Sequence, residues 1–125
     1  MQAVTGREIH ERLSAELAAL DCTIETSSRG LWARRRTLRR RRVVGWQLCV
    51  YCLTLVLDET GETVHFWDAV MEKRRGILAP HRDPVAAAGA LLVRSRIEQV
   101  IREAGWVLQY RLGHLPVAPP RVFRP

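Results

Sequence analysis

The stretch "RRRTLRRRR", from Arg34 to Arg42, holds seven arginines in nine residues. Guanidinium groups at that density repel one another unless something anionic compensates them. Lys73, Arg74 and Arg75 form a second, shorter basic run. The chain has 20 Lys and Arg against 13 Asp and Glu, a formal net charge of +7. A surplus of that sign favours an anionic partner, nucleic acid before an acidic membrane or protein. The choice of Arg over Lys carries less weight. Nineteen of the 20 basic residues are Arg and the chain has no Asn, which is the bias of GC-rich codons.

Other chemistry is less well supported. Cys49-x-x-Cys52 looks like half a zinc site, but no second pair follows at the required spacing. On a strand, positions three apart face opposite ways, so the two thiols cannot share an ion. The three cysteines are an odd number among apolar neighbours, which predicts free thiols in a reducing, cytoplasmic setting. The first twenty residues lack the apolar core of a secretory signal.

Metal-dependent nuclease chemistry needs an Asp beside a Glu-x-Lys. Asp68, Glu72 and Lys73 are the nearest set, but Glu72 and Lys73 are adjacent and so point apart. That alternative has little support. His10, His65, His81 and His114 are scattered, and no Gly-rich loop suits a phosphate. We assign no catalytic residue, metal ligand or cofactor, and the reading is of a non-enzyme.

These residues must be positioned by secondary structure. Thr5 and Glu8 form a capping-box pattern before Ile9, Leu13, Leu17 and Leu20, predicting a helix at about 6–20. A strand begins at Cys22 and blurs into the arginine run. Val43 to Leu57 reads as a central strand, covered on both faces. The same segment after Arg39–Arg42 mimics a membrane anchor. As a helix it reaches only about 22 Å against a hydrocarbon core of ~30 Å, so no membrane partner is expected. Asp58 to Glu62 predicts a hairpin loop with Gly61 at positive φ, and Val64 onward a strand ending near Arg75. Gly76 to Pro84 reads as a loop. Asp83-Pro84 starts a helix with Val85, Gly89, Leu92, Val93, Ile97, Val100, Ile101 and Ala104 on its buried stripe, stopped by Gly105. Trp106 to Leu112 suits a short last strand. The expected class is α+β: a three- to four-stranded antiparallel meander with two helices on one face, in the order α-β-β-β-α-β.

The expected domain spans residues 1–112, with a basic hairpin arm at about 31–45. A turn near Arg39–Arg40 would pair Cys22 with roughly Leu57 and Arg36 with roughly Val43. Arg34, Arg35, Arg36, Arg39, Arg40, Arg41, Arg42, Lys73, Arg74 and Arg75 would then converge at one pole, with Asp21, Asp58, Glu59 and Glu62 at the other. Both helices would begin near the basic pole and add their positive ends. Because neighbouring strand residues face opposite ways, the run loads both faces of the ribbon with charge. The resulting expectation is a nucleic-acid-binding module, for RNA or DNA, that grips the phosphate backbone through the arm. Its contacts would be Arg34, Arg35, Arg36, Arg39, Arg40, Arg41, Arg42, Arg74 and Arg75, with Trp32 and Trp46 at the root for stacking.

The second class is a protein-interaction or adaptor subunit. Residues 113–125 hold four prolines and form an extended tail, with Pro119, Pro120, Val122 and Phe123 as partner-binding residues. A homodimer through the sheet edge is the other protein partner this class allows.

Overall fold

The computed structural model describes residues 4–27, 29–41, 46–74, 77–80 and 84–111, without the side chains of 38–41, 46–47, 73–74, 77–80 and 84–88. Helix α1 spans Gly6–Ala19, and strands β1 to β5 span Thr23–Thr26, Gly30–Arg41, Trp46–Asp58, Thr63–Arg74 and Ile77–Pro80. Helix α2 spans Pro84–Ala104 and β6 spans Val107–Tyr110. The sheet order is β1-β2-β3-β4-β5, all antiparallel, and β6 lies parallel to β4. The class is α+β, with more strands than the expected meander.

Local signals explain the helices. Thr5 Oγ1 accepts from the Glu8 amide at 3.2 Å, and Ile9, Leu13 and Leu17 are fully buried one turn apart. Both helices close with the same pair of backbone bonds. In α1 the amides of Asp21 and Cys22 reach Ala18 O and Leu17 O, and in α2 those of Gly105 and Trp106 reach Arg102 O and Ile101 O. The turn needs a left-handed residue, which is Gly105 (φ 76) in one case and Asp21 (φ 60) in the other. On α2, Val93, Ile97, Val100 and Ile101 are buried as expected, whereas Leu92 is 46 % exposed and Ala90 takes the inward position.

One missed turn changes much of the expected geometry. Residues 27–29 close a separate β1–β2 hairpin, with Ser27 N bonded to Gly30 O at 3.0 Å and Arg29 N to Ser27 Oγ at 3.3 Å. Val56, not Leu57, pairs across β2, and its partner is Gly30. A Cβ on Gly30 would stand 2.4 Å from Leu55 O, so this close approach of β2 to β3 requires glycine. Arg36 therefore faces Val50 rather than Val43, and the β2–β3 connection falls between Arg41 and Trp46 rather than at Arg39–Arg40.

The extra hairpin also reverses α1. Only three residues separate α1 from β1, so those two run antiparallel, and α1 follows the direction of β2. Gly6 lies against the Glu59 side chain at the β3–β4 turn, and Asp21 lies at the opposite end of the helix. Only α2 begins toward the arginine-rich end, with Gly89 packed on Thr37. The helices are antiparallel, joined by an Arg12–Glu103 ion pair at 2.9 Å and by Trp106 Nε1 donating to Val4 O at 3.1 Å.

Two further expectations are corrected. Residues 77–80 form edge strand β5, not loop; it is short and ends in proline, which an edge tolerates. At the β3–β4 turn Glu62 carries the positive φ (48), while Gly61 donates its amide to Asp58 Oδ1.

The helices cover one face of the sheet. Leu31 and Ala33 of β2, Tyr51, Leu53 and Leu55 of β3, and Val64 and Phe66 of β4 form the core with them. No described element covers the other face, so β3 is flanked by strands on both edges but by helices on one side alone. Among the described residues no helix is long and apolar enough to cross a membrane.

Candidate nucleic-acid interface

β2 carries the arginine run as continuous strand through Arg41. Arg34 lies across from Thr23 and Cys52, Arg35 from Tyr51, Arg36 from Val50, Arg39 from Leu48, Arg40 from Gln47 and Arg41 from Trp46. The register slips by one at Thr37, whose hydroxyl reaches Cys49 O at 3.5 Å. Lys73 pairs with Leu48, and Arg74 follows it opposite Ile77. The backbone of Arg39, Arg40, Arg41, Lys73 and Arg74 thus gathers at one end of three adjacent strands. Asp58, Glu59 and Glu62 mark the other end. Arg34, Arg35 and Arg36 sit mid-strand, not at the pole. Arg42, Arg75, Pro119, Pro120, Val122 and Phe123 lie outside the described residues.

Alternation divides the mid-strand arginines. Arg35 points to the helix side and donates to Gly89 O at 3.3 Å, bracing α2 on β2. Arg34 and Arg36 share the uncovered face with Trp32. The rows across that face are set by register: Trp32, Thr54 and Trp67; Arg34, Cys52 and Ala69; Arg36, Val50 and Met71. Burial pushes the Cys52 thiol up, and the Arg34 guanidinium nearby offsets this only in part. Trp32 is 8 % exposed and its Nε1 is buried with no acceptor. It is therefore packed rather than open for stacking. His65 and Trp67 lie side by side on β4, with ring centroids 6.3 Å apart at 44°. Arg111 Nε donates to His65 Nδ1 at 3.0 Å, which places the imidazole proton on Nε2.

A polar group on the helix side escaped the sequence analysis. Asp68 Oδ2 accepts from Tyr51 Oη at 2.6 Å and from Arg94 Nε and Nη2 at 3.0 and 2.5 Å. Burial, then the hydrogen bond to Asp68, pushes the Tyr51 hydroxyl well above its ordinary range. Arg94 also lies over the Tyr110 ring, 5.9 Å from its centroid, and Tyr110 donates to Glu98. This cluster fills the gap on the outer edge of β4 between its pairings with β6 and β5, beside a cavity of about 180 Å³. The one available hint was an acidic residue in the middle of an apolar strand.

The Asp68 carboxylate is therefore committed within the fold. Glu72 is four residues on, roughly 13 Å at strand rise, too far to share an ion with it. Among the described residues no group of three His, Cys, Asp or Glu side chains is arranged to hold a metal. Cys49 is buried on the helix side, Cys52 is half-buried on the opposite face, and neither is in a disulfide. A wider cleft of about 810 Å³ lies at the acidic end, lined by Arg7, His10, Glu11, Arg29, Asp58 and Glu59 among others. There His10 Nε2 donates to Ser27 O and Gly30 O at 3.0 and 3.2 Å, pinning α1 to the β1–β2 turn. Its mixed charges favour no single ligand class. No protein-family model matches the chain, and the comparison with curated proteins finds no relative.

Proposed function

We propose that this protein binds nucleic acid, phosphate backbone first, through the end of the sheet built from β2, β3 and β4. The observation that supports this is the register. It draws the chain at Arg39, Arg40 and Arg41 alongside Lys73 and Arg74, remote from Asp58, Glu59 and Glu62. One carboxylate, the buried Glu72, lies within this end directly before Lys73, and the cations outnumber it; a surplus of that kind steers and holds a polyanion. Arg42 and Arg75 extend the same two runs, and Arg34 and Arg36 continue the path along β2. Arg35 acts from behind by holding α2. Contacts of this kind position the partner without reading sequence.

Fluorescence anisotropy with labelled oligonucleotides over a salt series tests the reading. Wild-type affinity should fall linearly on a log–log plot. Replacing Arg39, Arg40, Arg41 and Arg42 with Ser should lower the slope by about 3, at about 0.7–0.9 unit for each of four lost phosphate contacts. Absence of binding at low salt, or an unchanged slope, overturns the proposal.

A further inference from the structure

The uncovered face differs from a passive sheet surface in how its side chains are sorted. On its β4 side Trp67 is half-buried beside His65, whereas Trp32 on β2 is buried at 8 % and Tyr51, Phe66 and Trp106 lie within the core. Cationic side chains lie on its β2 side, with Arg34 and exposed Arg36 two residues apart, about 6.7 Å along one strand. Between them stand small side chains: Thr54, which is buried, and the half-buried Cys52 and Ala69. Two strand spacings set the trough at about 10 Å across.

Resting on the nucleic-acid reading above, we propose that this trough takes a single strand, with one base stacked on Trp67 and neighbouring phosphates held by Arg34 and Arg36. A duplex seals its bases inside the stack and offers a flat aromatic surface nothing to lie against; an unpaired base offers a π-face. The cationic row on β2 continues into the backbone at Arg39, Arg40 and Arg41, so the strand is led from the trough toward the basic end. Glu25, opposite Trp32, closes the path in the other direction. The unpaired Nε1 of Trp32 lies in the same row as Trp67. Folded proteins seldom leave a buried donor unanswered. A small tilt of the indole presents it to an acceptor on a bound base or phosphate.

The test compares a labelled single strand with a duplex of the same sequence. Trp67→Ala should weaken single-strand binding roughly tenfold, far more than duplex binding, and Trp67→Phe should retain most of the affinity. If Trp67→Ala weakens both forms equally, or neither, while the Arg39–Arg42 replacement removes binding, this inference falls and the phosphate grip stands. If wild-type protein binds no oligonucleotide at low salt, both fall. Should Trp67→Ala fail to fold, photocrosslinking of a bromouridine-containing strand to wild-type protein decides the matter. A crosslink at Trp67 supports the proposal, and crosslinks confined to other residues overturn it.

Discussion

The two faces of the sheet are built from alternate residues of the same strands, yet they solve opposite problems. On the helix side, Leu31, Ala33, Leu53, Leu55, Val64 and Phe66 are essentially removed from water, and the polar groups among them are paired. Tyr51, Asp68 and Arg94 close on one another there, and Arg35 finds the Gly89 carbonyl. On the other side Arg36 is exposed, Arg34 and Trp67 are half-buried, and one indole donor has no acceptor. One face is closed by the two helices; on the other, Trp32 and Thr54 are also buried, while Trp67 and Arg36 stay in reach of water. Adjacent residues on one strand can thus differ wholly in their role.

The comparison breaks most visibly at Leu53 and Thr54. Leu53→Ala should cost about 2–5 kcal/mol through lost burial and the cavity left behind. Thr54→Ala, one residue away, should cost about 1 kcal/mol: Thr54 is nearly as buried, at 2 % exposed, but the change removes only a hydroxyl and a methyl. Urea denaturation of both variants measures the difference, and comparable losses would show that the uncovered face is packed as tightly as the core.

Tyr51→Phe sharpens the contrast through the charge network. It should cost about 1.5–3 kcal/mol at neutral pH, the value of a hydrogen bond to a charged acceptor. The pH dependence has a definite sign. The fold raises the Tyr51 hydroxyl above its ordinary value of 10.0, so the neutral form is favoured in the folded state. That contribution is fully present below pH 10.0 and is lost as pH rises beyond it. Tyr51→Phe should therefore start less stable and lose less between neutral and strongly alkaline pH. Cys22 and Cys52, raised chiefly by burial, add a shallower alkaline loss common to both proteins. A steeper alkaline loss in the variant than in wild type would contradict this assignment.

The smallest effect is expected at Trp32. Trp32→Phe keeps an aromatic ring but removes the unpaired buried donor, whose desolvation opposes the ring's favourable burial. Thermal melts should agree with wild type to within about 1 kcal/mol. A loss as large as that of Leu53→Ala would mean that the Nε1 group has an acceptor in solution.

Periodicity and capping were legible because they are local. Thr5 with Glu8, the run Ile9-Leu13-Leu17, Pro84 and Gly105 each act within a few residues, and both helices fall where those signals lie. The alternation through β3 and β4 was equally plain, as was the separation of Cys49 from Cys52. The β1–β2 turn had a local signal as well, in Ser27-Ser28-Arg29-Gly30, but the arginines beside it drew the strand across it. Missing that one reversal sent α1 to the wrong end and brought Arg34, Arg35 and Arg36 to the pole rather than the middle of the sheet. The Asp68–Tyr51–Arg94 cluster had no local signal beyond an acidic residue within an apolar strand, since its members lie on three elements.

From composition and spacing alone follow a basic α+β chain, the extent of its helices and the residues that alternate along each strand. Which side of β2 meets the helices, that Arg35 is consumed by Gly89 while Arg36 is not, and that Trp32 and Trp67 share a row were decided by tertiary pairing. The reason is that alternation defines two faces without saying which one the rest of the chain will cover. That choice depends on hairpin register and connection direction, where a shift of one residue exchanges the faces.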